Sequence, residues 1–248
     1  MISIRAGLST LSCSAGQPLA KKLALFDVDR TVMAGYSGYF ATLRLIRAGL
    51  VKKRRLAEAI FYKLITPLYK VDARRLYREI LSDMAGCPIE SALAIGQLCF
   101  IEDLRPRLFT GAIARIRQHQ ADGHPTYFIT AGPYMVIKVL GDFLGVHSDY
   151  APRPQILDGR IQADVIEPLA YLDGKLAIAR QIVEREGVGL EDCFFYSDNI
   201  DDRLLLEAVG HAHAVNPDRH LRRLAREKGW PILRFDRTLG EGESDENF

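Results

Sequence analysis

LALFDVDRT, residues 23–31, is the stretch on which the fold turns. Its first six residues have the length and apolar character of a strand buried on both faces, and the polar residues that follow suit a functional loop at its end. On an extended chain, residues two apart point to the same side. Asp27 and Asp29 therefore share one pocket at the end of this strand. Two carboxylates in one pocket repel each other, which raises one pKa unless a cation lies between them. The pair implies either a hard divalent ion, Mg2+ by its preference for oxygen ligands, or a shared proton.

Outward from this strand the pattern changes. From about residue 36 to 104 apolar residues recur at helical spacing: Leu43, Ile46 and Leu50, then Leu56, Ile60, Leu64 and Leu68, then Leu76, Ile80 and Met84. Gly49, Pro67, Gly86 and Pro88 divide them into several helices, with no strand between. Beyond, strands and helices alternate. A helix near 106–121 has Pro106 in its first turn, and HPTYFIT supplies a strand at 125–130. QILDGRIQA, 155–163, is a hairpin turning at Asp158 and Gly159 and is read as a flap. A helix at 173–187, CFFYS, a helix at 200–208, HAHAV, a helix at 218–228 and PILRF complete the series. The alternation predicts an α/β fold, a doubly wound parallel sheet covered on both faces. The expected core is 20–34 plus 105–240, with an all-helical cap at 35–104, a loose leader at 1–19 and an acidic tail at 241–248.

In such sheets ligands bind beyond the carboxyl ends of the strands. Thr130, Ala131 and Gly132 close the second core strand just before a helix, where a hydroxyl and backbone N–H groups make an anion site. Lys175, at the start of the helix after the hairpin, can bring positive charge beside carboxylates and a phosphoryl oxygen. Asp198, Asp201 and Asp202 in CFFYSDNIDD form a further acidic cluster at a strand end.

In this order the residues resemble the haloacid dehalogenase superfamily: Asp27/Asp29/Thr31 match its DxDx[TV] motif, Thr130 its Thr or Ser, Lys175 its Lys, and Asp198/Asp202 its acidic pair. The helical insert after the first motif and the SDxxDD form of the last are similar to the phosphoserine-phosphatase-like branch, over about residues 23–235. The resemblance implies Mg2+-dependent hydrolysis of a small phosphomonoester through an aspartyl phosphate. Asp27 would be the nucleophile and Asp29 the general acid and base, while Asp27, the backbone carbonyl of Asp29 and Asp198 hold Mg2+. Thr130, Ala131, Gly132 and Lys175 would grip phosphoryl oxygens, and either Asp201 or Asp202 would orient Lys175. A phosphotransferase would use the same groups. Dehalogenation is disfavoured, because a halide leaves without a proton and Asp29 would be idle. Two departures stand out. Arg30 occupies a position where many relatives carry a small residue and is a candidate reader of a substrate anion. Residues 34–40, AGYSGYF, lack the acid with which phosphoserine phosphatases bind the substrate amino group.

Composition bounds the rest. The 248 residues carry 33 Lys and Arg against 31 Asp and Glu, a balance that argues against a chain devoted to nucleic acid. Four separated cysteines without a CxxC pair give neither a zinc knuckle nor a disulfide framework, so a reducing, cytoplasmic setting is expected. The N-terminus is a poor signal peptide, and no apolar run reaches the roughly 20 residues of a bilayer span. His211 and His213, with His220 nearby, could suggest zinc, but packed histidines are the favoured reading; Cys193 and Trp230 are read as buried. Between 41 and 78 eleven basic residues face only Glu58 and Asp72, interleaved with Phe61, Tyr62, Leu64 and Tyr69. A solvated basic face is favoured there; peripheral membrane contact, or a partner-binding protein with little activity, is the alternative.

Overall fold

The computed structural model describes residues 21–58, 73–171 and 173–241. The expected leader, positions 59–72 of the basic segment and all but the first residue of the acidic tail lie outside them. Strand β1 (Leu23–Phe26) is followed by helices α1 (Ser37–Arg47), α2 (Ala73–Met84), α3 (Ile89–Cys99) and α4 (Thr110–Ala121). Then come β2 (Thr126–Phe128), α5 (Tyr134–Leu144), β3 (Pro154–Leu157), β4 (Arg160–Val165) and α6 (Asp173–Glu186). The chain continues through β5 (Cys193–Ser197), α7 (Arg203–Ala208), β6 (His211–Val215), α8 (Arg219–Lys228) and β7 (Ile232–Leu233).

Five strands form one parallel sheet in the order β2-β1-β5-β6-β7. Leu23 and Leu25 point into a core shared with Ile178, Ile182, Leu205 and Leu221 of the helices on one face. Ala24 and Phe26 point into a second core with Ile113, Ile116, Val136 and Leu140 on the other. Each of the four is at most 1% exposed, which is why β1 is apolar without alternation. From β1 the sheet grows to β2 on one side and β5 on the other. The strand order thus reverses at β1, and a crevice opens at its carboxyl end.

β1 ends at Phe26, two residues short of the predicted strand, because the chain turns: the N–H groups of Thr31, Val32 and Met33 converge on the Val28 carbonyl at 3.2, 2.8 and 3.2 Å. The helix expected from 106 starts at Thr110, after a 3-10 turn, Arg105–Arg107, that contains Pro106. A π-helical turn, Phe100–Leu104, extends α3 without any signal in the periodicity.

Among the described residues between β1 and α4 the regular elements are helices joined by turns and isolated bridges, and the buried Ala41, Leu45, Val51, Leu81, Met84 and Ala92 belong to the same core as Phe26. The β3–β4 hairpin turns at Asp158 and Gly159, with φ of 48° and 73°. It is docked rather than free: Gly86 N donates to Ile161 O, Ile161 N to Cys87 O and Ile89 N to Gly159 O, all at 2.9–3.0 Å.

The basic segment is largely neutralised within the fold. Of its nine described basic residues, seven form ion pairs: Arg44 with Glu102 and Asp103, Lys52 with Asp83, Arg54 with Glu58, Arg75 with Glu79, Arg78 with Asp164, and Arg74 with Asp164 and Glu167. The seventh, Arg55, is 6% exposed and reaches Glu58, Glu79 and Asp83 at 2.7, 2.6 and 3.0 Å. Most of these acids lie outside residues 41–78, where a count of local charge does not find them. His211 stacks on Phe194 and His213 on Tyr196, at ring separations of 4.3 and 4.6 Å, so both act as packing groups. Cys193 is fully buried, whereas Trp230 is only partly buried at the edge of the second core.

Candidate active site

Each strand end at the crevice delivers one part of the site. Asp27 follows β1 directly, and its N–H is tied to the Tyr196 carbonyl of β5 at 2.9 Å. The residue is 5% exposed, with Oδ1 2.7 Å from Lys175 Nζ and Oδ2 3.5 Å from Thr31 Oγ1. Lys175, in the first turn of α6, also donates to Asp202 Oδ2 at 2.7 Å. The same Asp202 oxygen accepts from Ser197 Oγ at 2.5 Å, and Ser197 ends β5. A chain of buried polar groups thus runs from Asp27 through Lys175 and Asp202 to Ser197, linking the ends of β1 and β5. Asp201 is exposed and its N–H is taken by Asn199 Oδ1, so the lysine partner is Asp202.

Asp29 lies past the bend, half-buried, and its Oδ1 accepts from the N–H of Ser37, the first residue of α1, at 2.8 Å. Directly after Asp29, Arg30 adopts φ 63°, a left-handed conformation that a side chain pays for in strain and that recurs at functional sites. Its Nε lies 3.4 Å from Asp198 Oδ2. Asp198 is 4% exposed and its carbonyl accepts from Asp218 N. Asp218 caps α8 through His220 and Leu221 and accepts from Ile200 N, so it braces the loop that carries Asp198.

Thr130 is 1% exposed at the end of β2, and its Oγ1 accepts from Gly132 N at 3.0 Å. This loop is pressed by the helical insert: Tyr77 of α2 donates its hydroxyl hydrogen bond to the Ala131 carbonyl. A Cβ on Gly132 would stand 2.5 Å from Ser37 Oγ and 2.7 Å from Ile137 Cδ1, so a side chain there would have to displace one of them.

Asp27 and Asp202 sit directly on one buried ammonium, Asp198 lies within its electrostatic reach, and Asp29 lies within that of Asp27. Burial, reinforced by the charges of Asp202, Asp198 and Asp29, pushes the Asp27 carboxyl above its ordinary range, although Lys175 works the other way. Burial likewise raises Asp198 to about 7 against the pull of Arg30 and Lys175, and it raises Asp201. For Lys175 burial opposes the charge, but Asp202 and Asp27 outweigh it and hold the ammonium above its usual range. The site is short of positive charge, which fits a hard cation. No cluster of three or more His, Cys, Asp or Glu side chains arranged for a metal occurs among the described residues. The groups that could hold an ion here are two buried carboxylates, Asp27 and Asp198, to which the resemblance adds the main-chain carbonyl of Asp29. So sparse a set suits Mg2+, which keeps several waters.

The structure thus brings together Asp27, Asp29, Arg30, Thr130, Ala131, Gly132, Lys175, Asp198 and Asp202, and leaves Asp201 at the surface. Ser37, Tyr77, Ser197 and Asp218 were not singled out from sequence. Asp218 carried a cap signal before its helix, but nothing linked it to Asp198; Tyr77 and Ser37 look like ordinary helix residues.

A family model described as haloacid dehalogenase-like hydrolase matches residues 24–207. A protein of Mycobacterium tuberculosis described as a probable phosphatase is 31% identical over 225 residues, covering 90% of this chain and 78% of that one. A phosphoserine phosphatase of the same species is 28% identical over 216 residues, covering 86% and 70%. A crystal structure of a Bordetella pertussis protein of unknown function superposes with a TM-score of 0.77 at 28% identity, over 86% of this chain and 98% of that one. The match spans every strand end that carries a site residue, and the chain belongs to the haloacid dehalogenase-like hydrolase family.

Proposed function

We propose that the protein hydrolyses a small phosphomonoester, with Asp27 as nucleophile. The observation that carries this reading is the division of labour between the two carboxylates. Asp27 is buried and fixed by Lys175, whereas Asp29, half-buried, is held at the N-terminus of α1 by the Ser37 N–H. This difference supports attack by the one group and proton transfer by the other.

In the first step an Asp27 carboxylate oxygen bonds to phosphorus, the bond from phosphorus to the ester oxygen breaks, and Asp29 gives its proton to the departing alcohol. In the second, water attacks phosphorus, Asp29 takes its proton, and the acyl phosphate bond breaks to release inorganic phosphate and restore Asp27. Thr130 Oγ1, the backbone N–H of Ala131, that of Gly132 once it exchanges its bond to Thr130 Oγ1 for the substrate, and Lys175 hold the non-bridging oxygens. Asp202 keeps Lys175 aimed between its own carboxylate and that of Asp27. Mg2+ held by Asp27, the Asp29 carbonyl and Asp198 would neutralise the two anions that must meet, and would favour the ionised form of Asp27.

Phosphoserine itself is not the favoured substrate: the first turn of α1 carries no acid to meet an ammonium group, and Arg30 stands at the rim instead. The test is phosphate release from a panel that includes phosphoserine, histidinol phosphate, sugar phosphates and a lysophosphatidate, with Mg2+ and with chelator. Mg2+-dependent release that Asp27→Asn abolishes is expected. Wild-type rates in the mutant, or no release from any ester, would overturn the assignment.

A further inference from the structure

Ser37 is fully buried, and its Oγ has no hydrogen-bond partner. Folded proteins rarely leave a buried hydroxyl unsatisfied, and where they do the group needs an explanation. The location supplies one. The backbone N–H of Ser37 holds Asp29 Oδ1 at 2.8 Å, and its Oγ abuts Gly132, where a Cβ would approach it to 2.5 Å. The hydroxyl therefore lies between the carboxyl that handles the leaving-group proton and the loop that holds the phosphoryl group. As the first residue of α1 it has no carbonyl four residues back within its own helix to accept from it, the usual outlet for a helical serine. Alanine would fill the same space and be the better helix former.

Resting on the phosphomonoesterase reading, we infer that Ser37 Oγ donates a hydrogen bond to the ester oxygen of the substrate. The non-bridging oxygens already have Thr130, the 131–132 backbone and Lys175. The ester oxygen must lie beside Asp29 to receive its proton, and that is where Ser37 is fastened. As the bond from phosphorus to this oxygen breaks, negative charge grows on it. The Asp29 proton transfers to the oxygen, while Ser37 keeps its own proton and stabilises the charge by its hydrogen bond. The positive end of α1 adds to the effect.

Ser37→Ala removes the hydroxyl and keeps the N–H that holds Asp29. Two readouts separate a substrate contact from a packing role: kcat/KM on alkyl phosphates compared with p-nitrophenyl phosphate, and the thermal midpoint of the ligand-free protein. The expected result is a fall in kcat/KM of about tenfold on alkyl esters, a smaller fall on the aryl ester, whose leaving group needs less help, and an unchanged or raised midpoint. An unchanged kcat/KM, equal falls on both ester classes, or a lowered midpoint that accounts for the loss would overturn the inference in an active enzyme. A wild-type protein that releases phosphate from no ester would overturn the phosphatase reading together with it.

Discussion

Replacing Asp202 by Asn tests the polar chain at the centre of the site. The substitution keeps an oxygen acceptor for Lys175 and Ser197 and removes only the charge. At an effective dielectric of about 20, an opposite charge 2.7 Å away contributes about 6 kcal/mol to holding the ammonium. Asp202 also repels Asp27. Both accept from the same nitrogen at 2.7 Å, which places the two oxygens no more than about 5.4 Å apart and sets the repulsion at about 3 kcal/mol or more. The net hold lost is therefore at most about 3 kcal/mol, equivalent to about a hundredfold in rate if it is expressed in the transition state. Two assays apply: kcat/KM for phosphate release, and urea unfolding at pH 7, where the midpoint should fall with an unchanged slope. Asp201→Asn, at an exposed site, is the control and should change stability by no more than about 0.5 kcal/mol. Wild-type turnover in Asp202→Asn, or an equal loss in Asp201→Asn, would refute the assignment of Asp202 as the residue that aims Lys175.

Further tests bear on the parts around this centre. Arg55→Met should leave the Asp83 carboxylate, 3% exposed, without its guanidinium and cost about 3 kcal/mol, a fall of roughly 10 °C in Tm, whereas Lys53→Gln should shift Tm little; equal shifts would show that Arg55 is not structural. Burial opposes the charge of Asp83, but hydrogen bonds from Arg55 and Lys52 hold its pKa down at about 2 against an ordinary 3.8. Because the folded pKa is depressed, its contribution of about 2 kcal/mol is present above pH 4 and is lost as pH falls from about 4 to about 2; Asp83→Asn should lose that part of the acid dependence, and an unaltered profile would contradict the network. Gly132→Ala should displace Ser37 or Ile137 and raise the KM for phosphate esters about tenfold, and an unchanged KM would mean that the loop is not the phosphoryl cradle.

The core and the cluster of polar side chains at the strand ends were legible because each rests on a local signal. β1 announces itself by an apolar run that only a doubly covered strand needs, and Asp27, Thr130, Lys175 and Asp198 sit at strand ends or helix starts, where sequence position and site position coincide. What was not legible depends on which segments meet across the fold. The choice between Asp201 and Asp202 is settled by a 3-10 turn that points one inward and one outward, and adjacent aspartates give no hint of it. The charge of residues 41–78 reads as an exposed basic surface until Glu79, Asp83, Glu102, Asp103, Asp164 and Glu167 arrive from other elements. This weakens the case for an anionic membrane as partner, because a patch whose charges are already paired has less field to offer. Ser37 is the sharpest case. Within AGYSGYF it is one small polar residue among others, and the absence of an acid there was the more conspicuous fact. Only when α1 is set against both Asp29 and Gly132 does its hydroxyl stand out, a donor kept dry at the point where the proposed reaction breaks its bond.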